Sequence, residues 1–371
     1  MKKRVNGLIA AGVLLAFTAG CGDASPTAET SSAQADEVQQ ETTDVQGAEQ
    51  TPDTAESEGA QTDTEAGPAE GSETSAPAEP VTVRIGALKG PTSIGLAGLI
   101  YENEDSTNIY EYTMETQADV ILAGVIAGDF DIALVPANVA SVLYQKTEGQ
   151  ITAVDINTLG VLYMVSGDQS IEGLEDLSGR TVYTTGKGNT PEYVLNYLLE
   201  EKGLTGSVNV EFKSEATEVA ATLAADPSAV GMLPQPFATV AQVQNESLAV
   251  VLDMTGEWDA LGNGSQMVTG VTIVRNDFLE AHPDAVDQFL ADHEASVNYV
   301  NTDTEQAAEY VAEMGIIEKP AVAQKAIPYC NIVCIEGEEM KTALSGYLEV
   351  LYAQDPSSVG GALPDDAFYL K

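Results

Sequence analysis

From Gly22 to Pro80 the chain has no aromatic residue, no Lys and no Arg, and its only large aliphatic residues are Val38 and Val45. A stretch so poor in apolar side chains cannot bury enough surface to offset the entropy lost on ordering it. Any hydrophobic core must be built from Val81 to Lys371, 291 residues, enough for two cores of ordinary domain size. The 15 acidic residues between 22 and 80 repel one another, which predicts an extended, disordered spacer.

Ahead of the spacer, Lys2-Lys3-Arg4 precede an apolar run from Leu8 to Phe17, then Thr18-Ala19-Gly20-Cys21. A cationic flank followed by an apolar run too short to remain as a bilayer span reads as a secretory signal, residues 1–20. Small residues ending on a cysteine resemble a bacterial lipobox, with Thr18 where a leucine is usual. That resemblance implies lipidation at Cys21, and residues 21–80 then form a lipidated cysteine plus acidic spacer, a tether to the outer face of the cell membrane. The plainer alternative is an ordinary cleaved signal beside a chance cysteine.

The formal net charge is −43, and Val81 to Lys371 keeps 43 acidic against 12 basic residues, a net of −31. Such a surface repels nucleic acid and anionic headgroups, so neither is expected as a partner. It leans against highly anionic ligands, while a small anion held by local donors stays open. Beyond Cys21 there are only Cys330 and Cys334, and the only histidines are His282 and His293. No Cys/His zinc cluster follows from these, and no metal or other cofactor is expected. The four-residue spacing suits disulfide geometry poorly, so the pair reads as buried thiols, with a local disulfide as the alternative.

Along the folded part, short β-rich runs alternate with helical patterns. Val81–Leu88, Tyr110–Glu115 and Asp131–Pro136 read as strands, separated by helices at Pro91–Tyr101 and Ala118–Ala127 and followed by one at Ala137–Gln145. A second series runs through Thr181–Thr185, a helix from Thr190 with Thr190 as N-cap, Val208–Phe212, a helix at Ala216–Ala225, Val230–Pro234 and a helix at Pro236–Gln244. Leu159–Ser166 and Gly270–Arg275 read as strands crossing between two lobes. Helices near Pro283–Val300, Thr304–Met314, Pro320–Ala326 and Gly337–Leu351 buttress the first lobe.

The stretches VRIGALKGPTSIGLAGLI (83–100), GDFDIALVPANVASVLY (128–144), GLEDLSGRTVYTTGKGNTPEYVLNYLLEEKGL (173–204), GMLPQPFATV (231–240) and HPDAVDQFLADHEASVNYV (282–300) resemble the extracytoplasmic solute-binding lipoproteins of ABC importers. The similarity runs across Val81–Lys371 and is to the group that binds sulfonates, nitrate, riboflavin and thiamine-pyrimidine precursors. It implies an α/β, two-lobed type II periplasmic-binding-protein fold, each lobe a mostly parallel sheet flanked by helices, with two crossing hinge strands. Lobe 1 is then 81–162 plus 271–371, and lobe 2 is 163–270. The resemblance also implies a monomer that captures a small-molecule ligand between the lobes and delivers it to an ABC permease and its ATPase.

In open α/β sheets ligands bind beyond the carboxyl ends of strands, where helix N-termini offer free N–H donors. Three strand-to-helix junctions meet that description: Lys89, Gly90, Pro91, Thr92 and Ser93; Asn138; and Thr185, Gly186, Lys187 and Thr190. Gln235, between two prolines at the end of a second-lobe strand, is a fourth candidate because it both donates and accepts. Taken singly, Gly90, Pro91 and Asn138 are explained by turn chemistry. Lys89 and Lys187 either clamp an anionic group or are exposed loop lysines. Trp258 and Tyr163 suit core packing, with stacking on a planar ligand as the alternative.

Enzymes of thiamine-pyrimidine and menaquinone biosynthesis share this fold group. The synthase resemblance demands an active-site histidine and a cysteine-rich motif that this chain lacks, and the candidate loops assemble no Ser-His-Asp or Cys-His set, so no catalytic residue is expected. The alternatives are a ligand-sensing lipoprotein or an enzyme on the same fold related to thiamine-pyrimidine or menaquinone biosynthesis. Cys21→Ser is expected to abolish acylation and to release the protein or leave it unprocessed. Mass spectrometry of the mature N-terminus checks this, and an unmodified start elsewhere refutes lipid attachment.

Overall fold

The computed structural model describes residues 80–104 and 106–371. The expected signal peptide, the lipidation at Cys21 and the spacer through residue 79 lie outside the described residues. Among the described residues, no helix is long and apolar enough to cross a membrane.

Strand β1 (Val81–Leu88) turns Val83, Ile85 and Ala87 into the core. It pairs in parallel with β2 (Asn108–Glu115) on one side and β3 (Ile132–Pro136) on the other. Helices α1 (Ala97–Tyr101), α2 (Ala118–Ala127) and α3 (Ala137–Lys146) follow these strands. The helix expected over 91–101 is split, with 3-10 turns over Pro91–Leu96 before α1. Every residue from Thr92 to Leu96 is buried there, and a Cβ on Gly95 would stand 3.1 Å from both His293 and Val297 of α9 (Pro283–Thr302), so the tighter winding fits beneath that helix.

Strand β4 (Ile151–Leu159) is buried at eight of nine positions, and after Gly160 and Val161 the chain continues as β5 (Leu162–Ser166). The single crossing strand expected over 159–166 is therefore two strands in two sheets. The second series supplies β6 (Thr181–Thr184), α4 (Thr190–Glu201), β7 (Asn209–Phe212), α5 (Ala216–Ala225), β8 (Val230–Pro234), α6 (Phe237–Gln244), β9 (Ala249–Asp253) and α7 (Met254–Asp259). The chain then returns through β10 (Val268–Arg275) to α8 (Asn276–Ala281), α9, α10 (Thr304–Glu313), α11 (Pro320–Ala326), β11 (Ile332–Ile335) and α12 (Gly337–Gln354).

The six-stranded sheet has the order β11-β4-β10-β3-β1-β2, and the five-stranded sheet β7-β6-β8-β5-β9. Both are mixed, which corrects the expectation of mostly parallel sheets. Parallel pairing is confined to β1 with β2 and β3, and to β6 with β7 and β8. Strands β4, β5, β9, β10 and β11 all pair antiparallel. The parallel pairs are the ones joined through crossover helices, whereas β4, β5 and β10 enter on connecting segments that need none.

Helix α9 shows why helical period and burial agree: Val286, Phe289, Leu290, His293, Val297 and Val300 recur every three to four residues and are all buried. Helix α12 sends Tyr347, Leu348 and Leu351 into an apolar cluster shared by strands of both sheets. Phe130, just ahead of β3, is wedged between α2 and β1. A Cβ on Gly86 would stand 2.6 Å from its ring, and one on Gly124 would overlap it from the other side. With glycine on both faces the ring has nowhere to retreat, so Gly124→Ala should cost about 1–3 kcal/mol of stability. A denaturant midpoint unchanged from wild type would contradict this packing.

Candidate functional site

The two sheets meet where β4 passes into β5 and where β10 lies beside β4. Val268 is opposite Leu159 and Gly270 opposite Thr158, with shifts of register on both sides of Gly270. Such irregularities bend a strand and re-aim its side chains. A Cβ on Gly270 would stand 2.5 Å from Asn157 Oδ1 and would overlap the Thr92 methyl, so both side chains converge on that glycine. On the β5 side, the Gln235 N–H donates to Val161 O at 2.9 Å, and Gly160 lies against Thr255 and Met267.

Several buried polar atoms here have no hydrogen-bond partner among the described residues: Thr92 Oγ1, Asn157 Oδ1, Thr158 Oγ1, Gln235 Nε2 and Thr255 Oγ1. Thr92, Asn157 and Gln235 are only 5%, 1% and 2% exposed. The other end of each amide is committed. Gln235 Oε1 accepts from Thr239 Oγ1 at 2.9 Å, which fixes the amide with its NH2 group free. Asn157 Nδ2 donates to Thr272 Oγ1 at 3.2 Å, which in turn donates to Asp155 Oδ1 at 2.8 Å.

The other expected site residues occupy different surroundings. Ser93 Oγ donates to Leu88 O at 2.7 Å, closing the loop after β1, and Lys89 is exposed beside Gly315. Asn138 Nδ2 donates to Ser358 O at 3.4 Å. Gly186 adopts a left-handed φ of 76° and its carbonyl accepts from Asn189 N, while Lys187 is exposed. Asn189, not Thr190, holds the cap position of α4. Its carbonyl accepts from the N–H groups of Glu192 and Tyr193, which makes Thr190 the first helical residue. Thr190 lies beside the buried Tyr347 hydroxyl without a hydrogen bond of normal geometry. Tyr193 OH contacts both Gly188 O and Asp355 Oδ2, so the 186–190 loop and Asn138 both reach the segment 355–358, away from Gly270.

All three described arginines pair with carboxylates elsewhere: Arg84 with Asp131, Arg180 with Asp168 and Arg275 with Asp277. The groups gathered at the crossing are therefore neutral. Tyr163 and Trp258 are core residues, with Tyr163 OH donating to Tyr329 O and Trp258 Nε1 to Ser265 Oγ. A depression of about 620 Å3 between α4 and α12, lined by Tyr197, Glu200, Asn263 and Glu349, includes none of the expected site residues. The thiols are free, Cys330 buried and Cys334 only half-buried, where both had been expected to be buried. Burial pushes Cys330 up to about 12. Cys334 is raised by burial first, then by the Asp155, Glu336 and Glu294 carboxylates.

A family model described as NMT1/THI5 like matches residues 107–307. The chain belongs to the NMT1/THI5-like family. No curated protein sequence matches it significantly. Among solved structures, an ABC transporter protein from Parabacteroides distasonis is similar with a TM-score of 0.67 at 23% identity, over 78% of this chain and 99% of that one. The periplasmic aliphatic sulphonate binding protein SsuA of Escherichia coli gives 0.62 at 16% identity, over 79% and 92%. The alkanesulfonate-binding protein of Xanthomonas axonopodis pv. citri, bound to MOPS, gives 0.55 at 15%, over 79% and 97%. These likenesses establish that this family member has the periplasmic-binding-protein fold expected from its sequence.

Of the residues at the crossing, Thr92 and Gln235 were legible as loop positions, whereas Asn157, Thr158, Thr255 and Gly270 were not singled out. A signal did exist for two of them: Asn157 and Thr158 are polar positions in the run ITAVDINTL, which is otherwise apolar enough to be a buried strand. Because the Thr92 hydroxyl lacks a partner, Thr92→Val should leave unfolding stability unchanged or slightly higher. A loss above about 1 kcal/mol in denaturant unfolding would mean that the hydroxyl is satisfied in the free protein.

Proposed function

We propose that this chain is the solute-binding component of an ABC importer, tethered outside the cell membrane by lipid at Cys21 and catalysing no reaction. In this reading residues 81–162 plus 271–371 form one lobe and 163–270 the other. The lobes part about the crossing segments, admit a small organic molecule and close over it, and the closed form docks on the permease. The observation that carries the reading is the set of unpartnered, buried, uncharged polar atoms on Thr92, Asn157, Gln235 and Thr255. Leaving such atoms unpaired costs about 1–3 kcal/mol each, a cost that a ligand with matching donors and acceptors removes. The other expected ligand contacts, Lys89 to Pro91, Ser93, Asn138 and Thr185, Gly186, Lys187 and Thr190, are not part of this set.

The same set favours a neutral, zwitterionic or heteroaromatic ligand over a sulfonate. An anion would meet no cation in the buried part, since Lys89 and Lys187 are exposed and the described arginines are paired elsewhere. The net charge of −31 over Val81–Lys371 works in the same direction.

Thermal-shift screening of the purified chain against aminopyrimidines, flavins, amino acids, nitrate and sulfonates is the direct test. A ligand at 100 times its dissociation constant should add about 2.7 kcal/mol of apparent stability. With the ligand so identified, Thr92→Val and Gln235→Ala should each weaken binding by about tenfold or more in calorimetry while the chain stays folded. Wild-type affinity in both variants removes the crossing as the binding site. Turnover of the molecule by the purified chain overturns the transport reading.

A further inference from the structure

A second constellation lies in the six-stranded sheet on the side facing α9. Asp155 of β4 and His293 of α9 are wholly buried, with His293 Nδ1 2.9 Å from Asp155 Oδ2. Cys334 of β11 joins them, and the carboxylate, imidazole and thiol donor atoms all lie within 4.8 Å of one another. Glu336, at the start of α12, brings Oε1 to 3.7 Å from Cys334 Sγ. Three stretches distant in sequence, at 155, 293 and 334–336, thus bring oxygen, nitrogen and sulfur donors together.

We propose that Asp155, His293, Cys334 and Glu336 form a binding site for a divalent metal ion of the zinc class. Zinc takes this mixture of ligands, with bonds of about 2.0–2.3 Å, which places neighbouring donors of a tetrahedron about 3.3–3.8 Å apart. Calcium and magnesium prefer oxygen alone and are poorly matched by the thiol and imidazole. Among Asp155, His293 and Cys334 the separations need a closure of about 1 Å, within the reach of the half-buried Cys334 side chain, while the exposed Glu336 turns in as the fourth ligand and marks the route to solvent. Asp155 is already oriented from behind, because its other oxygen accepts from Thr272 Oγ1 at 2.8 Å. The His293 ring is held against Phe289, centroids 5.5 Å apart. Such supporting contacts set the direction in which ligands point. On binding, the ion takes the place of the proton between Asp155 and His293 and of the thiol proton of Cys334, and both protons pass to solvent. Counting cysteines and histidines alone hides this site, because half of its donors are carboxylates.

The test is titration of the chelator-treated full chain with Co2+, followed by absorption spectroscopy. The expected result is a thiolate-to-cobalt charge-transfer band that saturates at one equivalent and is bleached by Zn2+. Cys334→Ser should abolish the band and weaken Zn2+ binding by tenfold or more in competition with a chelating dye, whereas Cys330→Ser should retain both. The serine exchange removes one half-buried sulfur, and circular dichroism matching wild type confirms that it folds. Absence of the band in the wild-type chain, or its persistence in Cys334→Ser, overturns the proposal.

Discussion

The antiparallel pairing of β4 with β10 is the constraint on which the rest of the molecule depends. One strand leads out of the six-stranded sheet into β5, the other leads back, and hydrogen bonding between them brings the two connections together. Chain separation between the partners exceeds 100 residues, so this pairing carries a large loop-closure cost that only the combined burial around it can offset. The burial is extensive: β4 is covered on both faces, and α12 joins its apolar cluster to residues of both sheets. Beyond the pairing, the two sheets are joined by the short stretches Gly160-Val161 and the chain ahead of Val268.

Polar residues placed inside such a pairing must be satisfied or serve another end. In β4 the two outcomes stand side by side. Asp155 has both oxygens engaged, by Thr272 and by His293, while two residues on Asn157 keeps its amide carbonyl unpartnered at the crossing. Successive side chains of a strand face opposite sides, so residues 155 and 157 share one face of β4. The Thr272 hydroxyl joins them, accepting from Asn157 Nδ2 and donating to Asp155 Oδ1.

Much of the fold was legible because local and global signals agreed. VTVRIGAL, DIALVP and VGMLP are apolar runs bounded by Gly, Pro or Asp, and each is a strand. Strand β4 was not expected over 151–158, and the edge strands β9 and β11 were not expected at all: AVVLD is mostly half-exposed, and IVCI is four residues long with irregular pairing to β4. Their existence is decided by a neighbouring strand far away in sequence, and short edge segments carry little intrinsic preference of their own. Strand direction was unreadable for the same reason. The Thr190 cap failed through a one-residue competition, since Asn189 is an equally good cap and its extended backbone leaves the carbonyl free for the first turn.

The candidate site divides along the same line. Strand-to-helix junctions can be read from sequence because each is local, and Thr92 was found that way; Gln235 was found as a polar residue between two prolines. Convergence cannot be read, because it depends on which loop faces which strand. Thr92 meets Asn157 across Gly270 only because β10 lacks a side chain there, and Asn138 turns instead to Ser358 because α3 lies under the last residues of the chain. Among the expected site residues, those with a buried unpartnered atom are Thr92 and Gln235, whose free groups lie at the crossing. Those whose groups point toward their own loop, Ser93 above all, are already satisfied. Hydrogen-bond satisfaction, more than position in a loop, is what separates side chains that hold this fold from side chains left free to recognise something else.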